Sequence, residues 1–105
     1  MNLIITSHQN EIAAICKSNG VKRLFAFGSV VNNKFNPETS DIDLYVEVDE
    51  TDPIKKGNFI LNLYEAFEKL FNRKVDLLTA KSLRNPILKE VIYETKVLIF
   101  ENKFA

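Results

Sequence analysis

Apolar residues recur along this chain with two different periods, and the switches between them divide it into alternating helices and strands. Ile12, Ile15 and Cys16 fall at i, i+3 and i+4, between Ser7, which can cap a helix, and Gly20, which can end one. The apolar run from Arg23 to Phe27 closes in Gly28 and Ser29, which predicts a buried strand and then a turn. Residues 30–40 are polar, with Asn36-Pro37, and predict a loop or brief helical turn. Ile42, Leu44, Tyr45, Val46 and Val48 mark a second strand. Asp52-Pro53 is a cap followed by proline at the first helical position. It opens the most periodic helix, with Ile60, Leu63, Tyr64, Phe67, Leu70 and Phe71 on one stripe. Residues 74–79 predict a third strand. Asn85-Pro86 repeats the cap signal and starts a short helix carrying Leu88, Val91 and Ile92, and residues 97–100 predict a fourth strand. The order is α-β-β-α-β-α-β. The first two strands are close enough to pair antiparallel, whereas a helix between the second and third calls for a parallel crossover. The expected class is α/β (α+β): a small mixed β-sheet with helices packed against it.

Composition narrows the setting. With 105 residues the chain is expected to be a single domain, 1–105. Apolar residues are 46% and charged residues 27%, a globular balance. No apolar run approaches the roughly 18 residues of a membrane span, and the first residues carry no secretory signal pattern. One cysteine excludes an internal disulfide framework. A cytoplasmic protein that engages no membrane is expected. Fourteen basic and 14 acidic residues give zero net charge, which argues against strong nucleic-acid binding. The charges are unevenly placed, however: Glu38 to Asp52 holds seven acids and no base.

These acids begin inside a strand pattern. Asp41 and Asp43 flank Ile42, so period-two alternation puts both carboxylates on one face, about 6–7 Å apart at Cα. They repel unless a cation or hydrogen-bond donors compensate, and hard divalent cations with oxygen ligands are the usual compensation. A solvated strand end is the bland alternative. Asp76 changes the balance, because it lies between Val75 and Leu77 in another apolar strand. If the two strands are neighbours, three carboxylates converge, enough to hold two Mg²⁺ ions for a phosphoryl displacement. Gly28 would let backbone approach a ligand closely, and the Ser29 hydroxyl can donate to phosphate oxygens.

Gly28-Ser29, then Asp41-Ile42-Asp43, then Asp76 in Val75 to Leu78 resembles the DNA polymerase β-type nucleotidyltransferase superfamily. In length and in its ending, the chain is similar to the minimal nucleotidyltransferases, many of which are antitoxins encoded beside a helical HEPN-type ribonuclease toxin. The resemblance implies the polymerase β-like nucleotidyltransferase fold, with two Mg²⁺ ions and ATP or another nucleoside triphosphate as substrate. Asp41, Asp43 and Asp76 would be catalytic and metal-binding, with Asp76 also helping to deprotonate the acceptor. Gly28 and Ser29 would bind the β- and γ-phosphates. AMP would pass to a hydroxyl, a toxin tyrosine in antitoxin members, with pyrophosphate leaving. Two other functions fit the same resemblance: a non-catalytic binding antitoxin, or an aminoglycoside-type nucleotidyltransferase.

The chain departs from the family after Gly-Ser. Val30, Val31 and Asn33 stand where many members have a basic residue, a small residue and a further glycine. Lys22, Arg23, Lys34 and Lys74 are the candidate replacements. Elsewhere, His8 reads as a surface or cap residue and Cys16 as core packing. Tyr64, Phe67 and Phe71 read as core rather than as a stacking platform. Phe35 stands in the polar loop as a residue that could touch a partner or a base, and Tyr45 and Tyr93 are expected to be partly exposed.

Overall fold

A computed structural model describes residues 1–32 and 34–103. Its strands are β1 (Val21–Phe27), β2 (Ile42–Val48), β3 (Val75–Leu78) and β4 (Val97–Glu101), in one mixed sheet of order β3-β2-β1-β4. β1 pairs antiparallel with β2 and with β4, and β2 pairs parallel with β3, as the connections require. The helices are α1 (Leu3–Thr6), α2 (Gln9–Ser18), α3 (Pro53–Phe71) and α4 (Pro86–Thr95).

The proline-marked helices start where expected. The Asp52 carboxylate accepts the Ile54 N–H at 3.1 Å, and the Asn85 side chain accepts from Ile87 and Leu88. These bonds satisfy amides that a helix start leaves without partners. α3 ends at Asn72, whose φ of 51° is left-handed. The stripe on α3 buries Leu63, Phe67 and Phe71. Fully burying such a side chain contributes about 1.5–3 kcal/mol.

The sheet has two unlike faces. On one, α1, α2 and α3 supply Ile5, Ile12, Cys16 and the α3 stripe. These pack on Leu24, Ala26, Ile42, Leu44, Val46, Val75 and Leu77 from the strands. On the other, α4 and the segment before it place Ile92 and Leu83 over Phe25 and Tyr45, with Phe27 and Leu78 alongside. This second layer explains why Leu24 to Phe27 is apolar without alternation: both faces of β1 are covered.

Three expectations need correction. Ser7 caps no helix start: α1 precedes it, capped by the Asn2 side chain, and Ser7 closes that turn. α2 starts at Gln9, and His8 before it makes no side-chain cap. A four-residue helix is too short to show a period, and its burial of Ile5 is a tertiary event. On α4 only Ile92 is buried, while Leu88 and Val91 stay exposed. Tyr45 is buried and only Tyr93 is exposed. Cys16 is core, and burial pushes its thiol up to about 12, which makes it inert.

Candidate active site

The register of the sheet assembles the site. Asp43 stands opposite Phe27 of β1 and directly beside Asp76 of the parallel strand β3. Asp41 immediately precedes β2, and Asp41 and Asp43 are both half-buried. Ile42 and Leu44 point into the helix-covered core, so by alternation Asp43 faces the α4 side. The three carboxylates therefore gather on the open face. Burial, then the charge of Asp76, then that of Asp41, pushes the Asp43 carboxyl up to about 6. Concentrated negative charge of this kind is the setting in which an oxygen-seeking divalent cation is favoured. Among the described residues, no group of three or more His, Cys, Asp or Glu side chains is arranged to hold a metal ion as the side chains stand.

Gly28 is required here for two separate reasons. Its φ of 75° lies in the left-handed region, and a Cβ at this position would collide with Asp43 Oδ2. The backbone thus comes down on the carboxylate as no side-chain-bearing residue could. Residues Gly28–Val30 then form a 3-10 turn, closed by the Val31 and Asn32 amides donating to the Gly28 carbonyl at 3.1 and 3.2 Å. Val30 is fully buried and anchors the turn. The Asn2 amide donates to the Val30 carbonyl at 2.9 Å, so α1 braces the turn from outside. Ser29 is half-buried within that turn.

The loop leading to Asp41 is pinned by Arg73, a residue that the sequence did not single out. One Arg73 nitrogen donates to the Pro37 carbonyl at 2.9 Å and to the Ser40 carbonyl at 3.5 Å. The guanidinium also covers the Phe35 ring at 4.8 Å. Phe35 is therefore half-buried against the main core rather than offered to a partner. Because Arg73 sits three residues before Asp76, it ties the approaches to both acidic strands together. No spacing rule reveals this, since the contact joins residues 36 apart.

The candidate phosphate-binding bases separate by position. Arg23 is committed elsewhere, to Glu101 at 2.8 Å and Glu47 at 3.3 Å. Lys22 lies at the start of β1, the end away from Gly28. Lys34, in the loop after the Gly-Ser turn, and Lys74, just before β3, are at the acidic end. Asn33 lies outside the described residues.

Two clefts open on this face. One of about 250 Å³ is lined by Tyr45, Glu47, Lys56, Thr79, Lys81 and Tyr93, among others. The other, of about 210 Å³, lies between the Gly-Ser turn and α4. Between them Lys96 holds its ammonium 4.0 Å from the Tyr93 ring and 4.2 Å from the Phe25 ring. The Tyr45 and Tyr93 hydroxyls are hydrogen-bonded at 3.0 Å. Burial and that hydrogen bond push the Tyr45 phenol up.

Gly28 of the Gly-Ser turn is thus packed against Asp43, which neighbours Asp76 on the adjacent parallel strand. The sequence pattern of the polymerase beta nucleotidyltransferase family matches residues 10–104, and the chain belongs to that family of transferases. It is similar to the protein adenylyltransferase MntA of Thermococcus cleftensis, 33% identical over 91 residues, covering 87% of this chain and 85% of that protein. A Methanocaldococcus jannaschii protein provisionally named protein adenylyltransferase MJ1379 is 39% identical over 79 residues, 75% of this chain and 77% of that one. Among solved structures, one provisionally described as a minimal nucleotidyltransferase aligns with TM-score 0.74 at 26% identity, over 92% of this chain and 95% of that chain. A toxin-antitoxin crystallised with AMP-PNP shares the fold at TM-score 0.65 and 19% identity, over 91% of this chain and 75% of that chain.

Proposed function

We propose that this chain is a single catalytic domain that transfers AMP from ATP to a hydroxyl of a protein partner, acting as an antitoxin toward a HEPN-type toxin. The observation that carries the chemistry is the placement of Asp43 beside Asp76 with Gly28 pressed against it. The partner reading is supported by relatives named as protein adenylyltransferases and by the fold shared with a toxin-antitoxin structure.

The donor set fits magnesium: three carboxylates, all oxygen, with one carboxyl raised by burial and by its two acidic neighbours. Asp41, Asp43 and Asp76 would hold Mg²⁺, which when bound would neutralise charge on the triphosphate. Gly28 and Ser29 receive the β- and γ-phosphates, with Lys34 and Lys74 as the candidate sources of added positive charge. Asp76, more exposed than Asp43, accepts the proton of the incoming hydroxyl. The hydroxyl oxygen bonds to the α-phosphorus, the bridge to the β-phosphate breaks, and pyrophosphate leaves.

Incubation of the toxin with this protein and Mg-ATP should add one or more AMP masses to the toxin, read by mass spectrometry. Asp41→Asn should abolish the adduct and leave thermal unfolding cooperative. Absence of any adduct with the wild-type protein would sink the catalytic reading. A masking antitoxin is the second reading, favoured by the exposed apolar residues Ile87 on α4 and Val97 and Leu98 on β4. Under it, Asp41→Asn rescues growth from the toxin as well as wild type does.

A further inference from the structure

The larger cleft of the open face has no part in the chemistry above. It begins where the acidic pair ends. Tyr45 and Leu78 are paired one alternation beyond Asp43 and Asp76 along the same two strands, about 7 Å further on. Tyr45, Thr79 and Lys81 line the cleft, whereas Gly28 lies the other way, past the Phe27 that stands opposite Asp43. We infer that this cleft is a second oxyanion site, that it binds a phosphate group of a molecule other than the triphosphate, and that Lys56, Lys81 and Tyr93 hold that group. The inference goes beyond the nucleotidyl-transfer reading and does not depend on it.

Three observations carry it. The first is positive charge without a partner. Among the described residues, neither Lys56 nor Lys81 makes an ion pair or a side-chain hydrogen bond, although both line one cleft of about 250 Å³. Of the acids between Glu38 and Asp52 only Glu47 lines it, and Glu47 shares Arg23 with Glu101. Two ammonium groups at one cleft repel each other unless an anion stands between them.

The second is a hydroxyl proton whose direction is fixed. Tyr45 is 1% exposed, and among the described residues its hydroxyl meets only that of Tyr93, at 3.0 Å. A buried hydroxyl keeps its proton paired, so Tyr45 donates and Tyr93 accepts. Burial, with that hydrogen bond, keeps the Tyr45 phenol protonated for this role. The proton of Tyr93 is then left over, and Tyr93 is exposed at the cleft wall. The Lys96 ammonium, 4.0 Å from the centre of the Tyr93 ring, draws electron density from it and makes that O–H a stronger donor.

The third is the match of charge and size. Two ammonium groups and one hydroxyl supply three donor groups and two positive charges. A phosphate monoester presents three acceptor oxygens and a charge of about −1.5 to −2 at pH 7. A carboxylate, with one charge, would leave half of the positive charge unanswered. Lysine binds phosphate as a point charge and needs no planar fork to do so. At about 250 Å³ the cleft is smaller than the roughly 300–1,000 Å³ of whole-ligand pockets, so it takes the phosphate end of a ligand and leaves the rest outside. Val48 and Ala80 add apolar wall beside the donors, which suits an ester better than the free ion.

The test is calorimetric titration of the whole chain in EDTA with phenyl phosphate, inorganic phosphate and benzoate. Without divalent cation the three aspartates repel anions and supply no signal. Phenyl phosphate should bind with a dissociation constant below about 1 mM, and benzoate about tenfold more weakly. Lys56→Ala and Lys81→Ala should each weaken phenyl phosphate about tenfold, and Tyr93→Phe about threefold. Neither lysine has a partner to lose, so both variants should keep the wild-type melting temperature. Lys69→Ala removes the same charge from an exposed position on α3 and should change nothing. Phenyl phosphate binding tighter than inorganic phosphate identifies an ester as the ligand, and the reverse order identifies the free ion; either supports the site. No binding by wild type, benzoate binding as tight as phenyl phosphate, or an equal loss in Lys69→Ala would overturn the inference. So would wild-type binding by both cleft-lysine variants with loss in Ser29→Ala, which would move the anion to the Gly-Ser turn and leave the nucleotidyl-transfer reading standing.

Discussion

One face of the sheet carries α1, α2 and α3 and is sealed by residues such as Ile12, Leu44, Leu63 and Phe67, none of which reaches solvent appreciably. The opposite face carries α4 and the short segment before it, and α4 buries a single residue of its own, Ile92. That face keeps three like charges together, a glycine in left-handed geometry and large apolar side chains in water. The clustered charge and the exposed apolar side chains work against stability, and under the proposed function each of these features serves a ligand. The sealed face supplies the free energy that lets the open face persist in an arrangement that packing alone would not select.

Breaking the sealed face should have the largest effect. Phe67→Ala leaves a cavity beneath the centre of the sheet and should lower the unfolding free energy by about 3–5 kcal/mol, read by urea denaturation. Small domains have only about 5–15 kcal/mol in total, so the variant should be close to unfolding at 37 °C.

Gly28→Ala comes next. It places a residue with a side chain at positive φ and drives its Cβ against Asp43. A loss of about 1–3 kcal/mol is expected, together with loss of the thermal shift produced by Mg-ATP. A variant that keeps the full shift would show that the close approach at Gly28 is irrelevant to the ligand.

Asp43→Asn should have the smallest effect on stability, and of opposite sign. The Asp43 carboxyl is raised from 3.8 to about 6 in the fold, so the folded state binds the proton more tightly than the unfolded one. Stability should therefore fall as pH rises from about 4 through 6 when no divalent cation is present. Asparagine removes that loss. Above pH 6 and without divalent cation the variant should melt slightly higher than wild type, with the advantage vanishing near pH 4. The same variant should lose AMP transfer, separating what the open face costs from what it does.

Much of this contrast was legible in the chain. Capped prolines located α3 and α4, periods located the strands, and the Asp-x-Asp with a later strand Asp marked the acidic face. What stayed hidden has a common cause. α1 is too short for a period to show. Arg73 pins a loop distant in sequence, and the turn at Gly28 depends on Val30 being buried and on Asn2 reaching its carbonyl. On α4 the apolar pattern is the same whether a residue faces the sheet or a groove. Leu88 and Val91 therefore looked like core.

Sequence alone determined the four strands, the three longer helices, their order, the class of fold and the residue types available for chemistry, because periodicity and capping are local properties. Tertiary structure alone decided that β3 lies beside β2 so that Asp76 meets Asp43, that Gly28 is pressed against that pair, and that α4 stops short of closing the groove. Those outcomes depend on strand order and register, which are set by burial summed over the whole sheet and not by any one segment.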